Sequence, residues 1–168
     1  VTAYTGTIPT LTSGQVPDGN DWLEILNALK ALTEPWSTYT STWGSSGSAP
    51  ALGNGTIFGA YQQLRKLLVL NIGLSIGSTS TVGSGNYTFT LPGAGALTWA
   101  TGSPRNMCSV GIRDQSAANH YTAFALLTPG ASVIDTIRFH GGNVVGAASP
   151  FVPAAGDFYS ILAIGELA

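Results

Sequence analysis

Charge is what this sequence has least of. Asp, Glu, Lys and Arg together make up 8% of its 168 residues, against about 25% in an ordinary globular chain. Six Lys plus Arg are too few for the basic patches that neutralise phosphates, which excludes a nucleic-acid binder of that kind. A net charge of −2 with 44% hydrophobic residues excludes a charge-driven disordered chain and argues against a coiled-coil rod. Cysteine is nearly missing too. Cys108 stands alone, so no disulfide forms within the chain. It sits in the apolar run Met107-Cys108-Ser109-Val110, with no base beside it, and reads as a buried, inert thiol. Long hydrophobic runs are also lacking. The most apolar stretch, Leu67 to Ile76, is broken by Asn71 and Gly73 and is too short for a bilayer. Residues 1–6 have neither a basic n-region nor an apolar h-region, so no signal peptide is expected.

Glycine, serine and threonine fill the space that charge leaves. A surface so poor in charge stays soluble through hydroxyls, through close subunit packing, or through a fixed place in a large assembly. Residues 1 to about 20 read as extended, with Ile8, Leu11 and Val16 spaced like anchors on an arm. Such a segment is a frayed terminus or an arm that docks on a partner. Residues 21–34 read as a helix. Asp21 and Glu24 fit a capping box at its start, and Pro35 stops it. Trp22, Ile25, Leu29 and Leu32 follow a 3, 4, 3 spacing, and Leu23 and Leu26 widen the stripe. Two heptads are too short to stand alone. The stripe therefore packs on its own domain or on copies of itself in a small bundle, with a width that suits three strands better than two.

After Pro35 the texture turns to β. Trp36 to Trp43 is aromatic and β-branched, and Gly44 to Pro50 reads as a flexible loop. Strands are expected over Thr56–Tyr61, over Leu64–Ile76 with Leu68, Leu70, Ile72 and Leu74 on one face, and over Asn86–Leu91. Gly77 to Gly85 between them is a turn-forming loop. Further strands are expected at 97–100, 108–113, 121–128, 133–139 and 158–164. Short strands separated by Gly, Pro and Ser turns predict a mainly β chain, a single jelly-roll-like β-sandwich. The expected organisation is an arm and one short helix over 1–35, for anchoring and oligomerisation, and a sandwich over 36–168.

Residues that carry chemistry are scarce. His120 and His140 have no further ligand at metal spacing, so neither zinc nor another cofactor is expected. Gly73-Leu74-Ser75-Ile76-Gly77 matches G-x-S-x-G, but a nucleophile elbow needs a helix after the serine, and Ser78-Thr79-Ser80-Thr81 starts none. Asp114, Asp135 and Asp157 read as turn or surface residues, not as a glycosidase pair. No helix follows Gly53-Asn54-Gly55 or Gly93-Ala94-Gly95, so neither cradles a phosphate. The basic residues Arg65, Lys66, Arg105 and Arg113 contrast with an acidic helix region. No enzyme activity is expected.

Several small motifs resemble a family. Gly53-Asn54-Gly55-Thr56-Ile57-Phe58-Gly59-Ala60-Tyr61, then Arg65-Lys66, then the Gly77 to Gly85 loop, then Tyr87-Thr88-Phe89-Thr90-Leu91-Pro92 are similar to the C-terminal domains of many tailed-phage virion proteins. Trp36 to Thr40, Ile8-Pro9-Thr10, Ser13-Gly14-Gln15 and Ser149-Pro150-Phe151 with Gly156-Asp157 add to the likeness, which spans nearly the whole chain. Many members carry a glycine just before the lysine, where Leu64-Arg65 stand here. They also carry an aromatic before the glutamate that corresponds to Glu166. The resemblance implies a jelly roll of the complement C1q and tumour-necrosis-factor type, a homotrimer, and a non-enzymatic part of a virion surface. Its partners would be copies of itself, other capsid or tail proteins, and a host cell-surface glycan, with no nucleic acid and no membrane insertion. The helix residues Trp22, Ile25, Leu26, Leu29 and Leu32 would oligomerise, and Ile8, Leu11 and Val16 would anchor the arm to the particle. Head decoration and short tail fibre are equally compatible with it. Trp99, Tyr121 and Asn143 are candidate ligand contacts. The competing expectation is a stand-alone bacterial carbohydrate-binding module, monomeric and sugar-binding without any particle.

Overall fold

The computed structural model describes residues 18–93, 97–101, 107–139 and 142–168, and within its helix and strands leaves aside the side chains of Ala28, Ala31, Leu32, Met107 and Leu126. Ile8, Leu11, Val16, Arg105 and His140 lie outside the described residues, as does most of the Gly93-Ala94-Gly95 turn.

The helix, α1, spans Gly19–Thr33, so it begins two residues before the expected start. Its N-cap is Asp18, whose Oδ1 accepts from the amides of Asn20 and Asp21 at 2.7 and 2.9 Å. Asp21 Oδ2 accepts from the Asp18 amide at 3.0 Å and closes the box. The box expected on Asp21 and Glu24 therefore sits on Asp18 and Asp21. Asp at the third helical position closes it as Glu would, and Gly19-Asn20 form the first turn instead of ending an arm. The helix stops at Glu34, which is extended ahead of Pro35.

Ten strands follow among the described residues: β1 Ser37–Tyr39, β2 Trp43–Ser45, β3 Thr56–Leu64, β4 Leu67–Ser75, β5 Tyr87–Thr90, β6 Met107–Asp114, β7 Asn119–Leu126, β8 Val133–Ile134, β9 Ile137–Phe139 and β10 Phe158–Glu166. They form an antiparallel β-sandwich. The larger sheet runs β1-β3-β4-β10-β6-β7-β9 and the smaller β2-β5-β8. The chain leaves the large sheet at β2, β5 and β8 and returns each time.

Three boundaries differ from the sequence expectation. The run Leu64–Ile76 is not one strand. Leu64 ends β3 and pairs with Leu67 across a tight turn at Arg65-Lys66. Arg65 takes a left-handed φ of 54°, and leucines on both sides hide the turn from a search for Gly, Asn or Asp punctuation. The stretch 133–139 breaks at Asp135-Thr136, where Thr136 has a φ of 49°. That break sends β8 to the small sheet and β9 to the large one. Residues 97–100 supply only a single bridge, Trp99 to Leu167.

The core lies between the sheets. From the large sheet come Leu68, Leu70, Ile72 and Leu74 on β4, Val110 and Ile112 on β6, and Tyr159 and Ile161 on β10; Tyr87, Phe89 and Ile134 of the small sheet meet them. Period-2 alternation puts these residues on one face, and burial of each large side chain stabilises the fold by about 1.5–3 kcal/mol. Tyr87 packs edge-on against Trp43 and Tyr159, at 5.2 and 6.1 Å between ring centroids. Cys108 is buried in this layer. Burial pushes its thiol pKa up to about 12, which keeps it protonated and inert.

Hydroxyls and two carboxylates tie the loops at the ends of the sandwich. Gly44 to Pro50, expected to be loose, is held. Ser48 and Ser84 exchange bonds through the Ser48 amide to Ser84 Oγ at 2.8 Å and the Ser84 amide to the Ser48 carbonyl at 3.0 Å. The Asn54 side chain accepts from the Thr79 amide at 2.9 Å and donates to Ser78 Oγ at 3.1 Å. Asp157 is fully buried. Its Oδ1 accepts from the Gln115 amide at 2.8 Å and its Oδ2 from the Ala154 amide at 2.6 Å. Asp114 caps the β6–β7 turn, accepting from Ser116 Oγ at 2.7 Å and the Ala117 amide at 3.0 Å. Both are turn residues as expected, but both are buried and neither belongs to the surface.

Candidate functional site

One groove gathers two of the three candidate ligand contacts. Its volume is about 430 Å³, and His120, Tyr121, Thr122, Phe139, Asn143, Ser149 and Pro150 line it. The sheet topology creates it. Among the described residues β9 pairs with Ala123, Phe124 and Ala125 of β7, and none pairs with the first half of β7 on that side. The chain after β9 turns back, with the Phe139 amide donating to the Asn143 carbonyl at 2.9 Å and Gly142 at a φ of 93°. Arg138 Nη1 donates to the Gly142 carbonyl at 2.8 Å and fixes that turn. This places Asn143 opposite β7.

Tyr121 forms the floor. Its ring stacks on Phe151 at 5.4 Å and meets Phe139 edge-on at 6.2 Å. Asn119 Nδ2 approaches the Tyr121 hydroxyl at 3.4 Å. The lining holds hydroxyls, an amide and an imidazole around aromatic rings, with no carboxylate, lysine or arginine among the described residues. Such a surface can stack on the face of a neutral ring and hydrogen-bond its hydroxyls. Among the described residues it holds no pair of acids for glycoside cleavage. Among the described residues no group of three or more His, Cys, Asp and Glu could hold a metal ion. Ser75 ends β4, and the turn after it carries no elbow.

Trp99 is not part of the groove. It is fully buried, bridged through its backbone to Leu167, and its amide donates to the Ala131 carbonyl at 3.1 Å. A large apolar ring between strand ends is worth more in the core than at the surface, so it is a packing residue.

Two further surfaces stand out. On α1, Trp22, Leu23, Leu26 and Leu29 are each more than half exposed, and Ile25 is half-buried. The sandwich leaves this stripe uncovered; Leu32 is the one stripe residue whose side chain lies outside the described set. On the outside of the large sheet, Phe58, Leu67, Phe124, Leu162 and Ile164 are exposed as well. Sequence reading caught Leu67 at the start of an apolar second face but singled out none of the other four. The signal was present in Ile161-Leu162-Ala163-Ile164, where both faces of one strand are apolar. No family model, curated protein or solved structure matches the chain.

Proposed function

We propose that the chain is a non-enzymatic structural protein of a tailed-phage virion. It is a homotrimer held to the particle by its N-terminal arm, displaying the β-sandwich on the virion surface as a head decoration or a short tail fibre. The observation that carries this reading is α1. Its apolar stripe is exposed, precedes a sandwich with almost no charge, and cannot stay wet at that width in an isolated helix. Closed cyclic symmetry covers such a surface with copies of itself. The resemblance of the Gly53 to Tyr61 and Tyr87 to Pro92 segments to phage virion domains supplies the setting. The experiment is light scattering on the purified chain, followed by antibody labelling of virions. Three times the monomer mass and label on particles support the reading; a strict monomer and unlabelled particles contradict it.

A second reading is favoured by the groove. A stand-alone carbohydrate-binding module of bacterial origin would use Tyr121 and Asn143 on a neutral sugar. It predicts a monomer whose heat of sugar binding disappears in Tyr121→Ala.

A further inference from the structure

The inner face of the large sheet is apolar, and its outer face sets exposed apolar side chains among small and polar ones. Antiparallel sheets in sandwiches usually turn polar residues to solvent. Here Phe58 on β3, Leu67 on β4, Phe124 on β7, and Leu162 and Ile164 on β10 point outward and are 44–54% exposed. The register joins them. Leu162 and Phe124 flank Ser109 in one row, with Asn71 and Ala60 beyond Leu162. Ile164 stands beside Val69 in the next row. Phe58 lies over Gly73, where an added Cβ would meet its ring. The charges of this face, Arg113, Glu166 and Arg138, stand at its two ends and its far edge.

Strand spacing of about 4.8 Å and a rise of about 3.4 Å per residue give this face roughly 700 Å². A standard interface takes about 800 Å² from each partner, so the whole face, its polar rows included, is close to what one side of a stable contact needs. The relief suits a like surface. Beside the projecting Leu162 and Phe124 is a hollow at Gly111, where an added Cβ would meet nothing nearer than the Ser160 carbonyl at 4.0 Å. The patch also runs on to α1. Gln62 shares this face and donates through Nε2 to the Glu34 carbonyl at the helix end, at 3.3 Å.

We infer that the outer face of the large sheet is a contact surface between copies of this chain. Leu162 is at its centre, the Gly111 hollow receives an apolar side chain of the neighbour, and the surface continues into the α1 stripe. The inference rests on the homo-oligomer of the proposed function and adds the residues that hold it together.

The test is native mass over a dilution series of the full chain, as wild type, Leu162→Asp, Gly111→Val and Leu29→Asp. Leu162→Asp is expected to raise the concentration of half-dissociation at least about 100-fold, a charge being costly in an apolar contact. Gly111→Val is expected to raise it about 10-fold by filling the hollow. Valine suits an open strand position, so its melting temperature does not fall, and this variant decides the matter if Leu162→Asp fails to fold. Wild-type dissociation in both variants, with Leu29→Asp falling apart, overturns the inference and leaves the oligomer standing. A wild-type monomer at every concentration overturns both. The other occupant of the face is the chain's own N-terminal segment. Leu162→Cys in the dissociated Leu29→Asp background is expected to react freely with a maleimide while buried Cys108 does not; a shielded Cys in that monomer assigns the face to that segment and overturns the inference.

Discussion

Strand β10 presents two apolar faces with opposite fates. Tyr159, Ile161 and Ala163 point inward and are fully buried, whereas Leu162 and Ile164 point outward and lie about half exposed. Neighbouring strands repeat the contrast, with Ile72 inside and Phe58 outside, Ala123 inside and Phe124 outside. Both faces carry side chains that belong out of water. The inner face is covered by the small sheet; the outer face is covered by nothing among the described residues. One sequence therefore encodes two burials, one that folds the monomer and one that the proposed assembly completes.

The contrast makes each face separately breakable. The largest effect belongs to the inner face. Ile161→Ala is expected to cost about 2–5 kcal/mol by urea denaturation, as lost transfer plus a cavity. Leu162→Ala in dissociated protein costs under about 1 kcal/mol, because its side chain is already half in water. Equal costs would erase the distinction. Next comes Asp157→Ala, which strips the Gln115 and Ala154 amides of their buried acceptor. It is expected to cost about 1–3 kcal/mol while the association of the folded fraction, read by native mass, is unchanged. A smaller effect of opposite sign is expected from Arg65→Gly. Arginine at a φ of 54° is strained where glycine is not, so the variant should gain about 1 kcal/mol in thermal stability. A loss would show that Arg65 contributes more through its contacts than the turn costs.

The smallest is a pH effect. Hydrogen bonds from the Ser116 hydroxyl and the Ala117 amide hold the Asp114 carboxyl below its ordinary value of 3.8. A depressed pKa in the folded state contributes stability above the unfolded value, which is lost as pH falls through the folded value. The urea midpoint should therefore drop below about pH 4, and Asp114→Asn should flatten that part of the curve. A variant with the same acid slope as wild type would assign the slope to other carboxylates.

The sandwich was legible because its core strands alternate cleanly. Leu68, Leu70, Ile72 and Leu74, or Tyr87 and Phe89, declare one buried face each. The helix was legible for its stripe, but its start slid because Asp18-Gly19-Asn20 looks like a turn. The Arg65-Lys66 hairpin was invisible, since its left-handed residue is neither Gly nor Asn. Tyr121 and Asn143, picked from residue type alone, line one groove, and the same criterion also picked Trp99, which is buried. Exposure at the end of a strand depends on which elements run beside it, and no local pattern carries that. The outer patch went unread for a related reason. Apolar residues on both faces of β10 signal burial on both sides, without saying what covers the second.

The most direct test is the native mass of the wild-type chain across a dilution series. The account predicts a species of three times the monomer mass that persists on dilution, with the α1 stripe and the outer face of the large sheet covered. A monomer at every concentration, with both surfaces open to solvent, would contradict it.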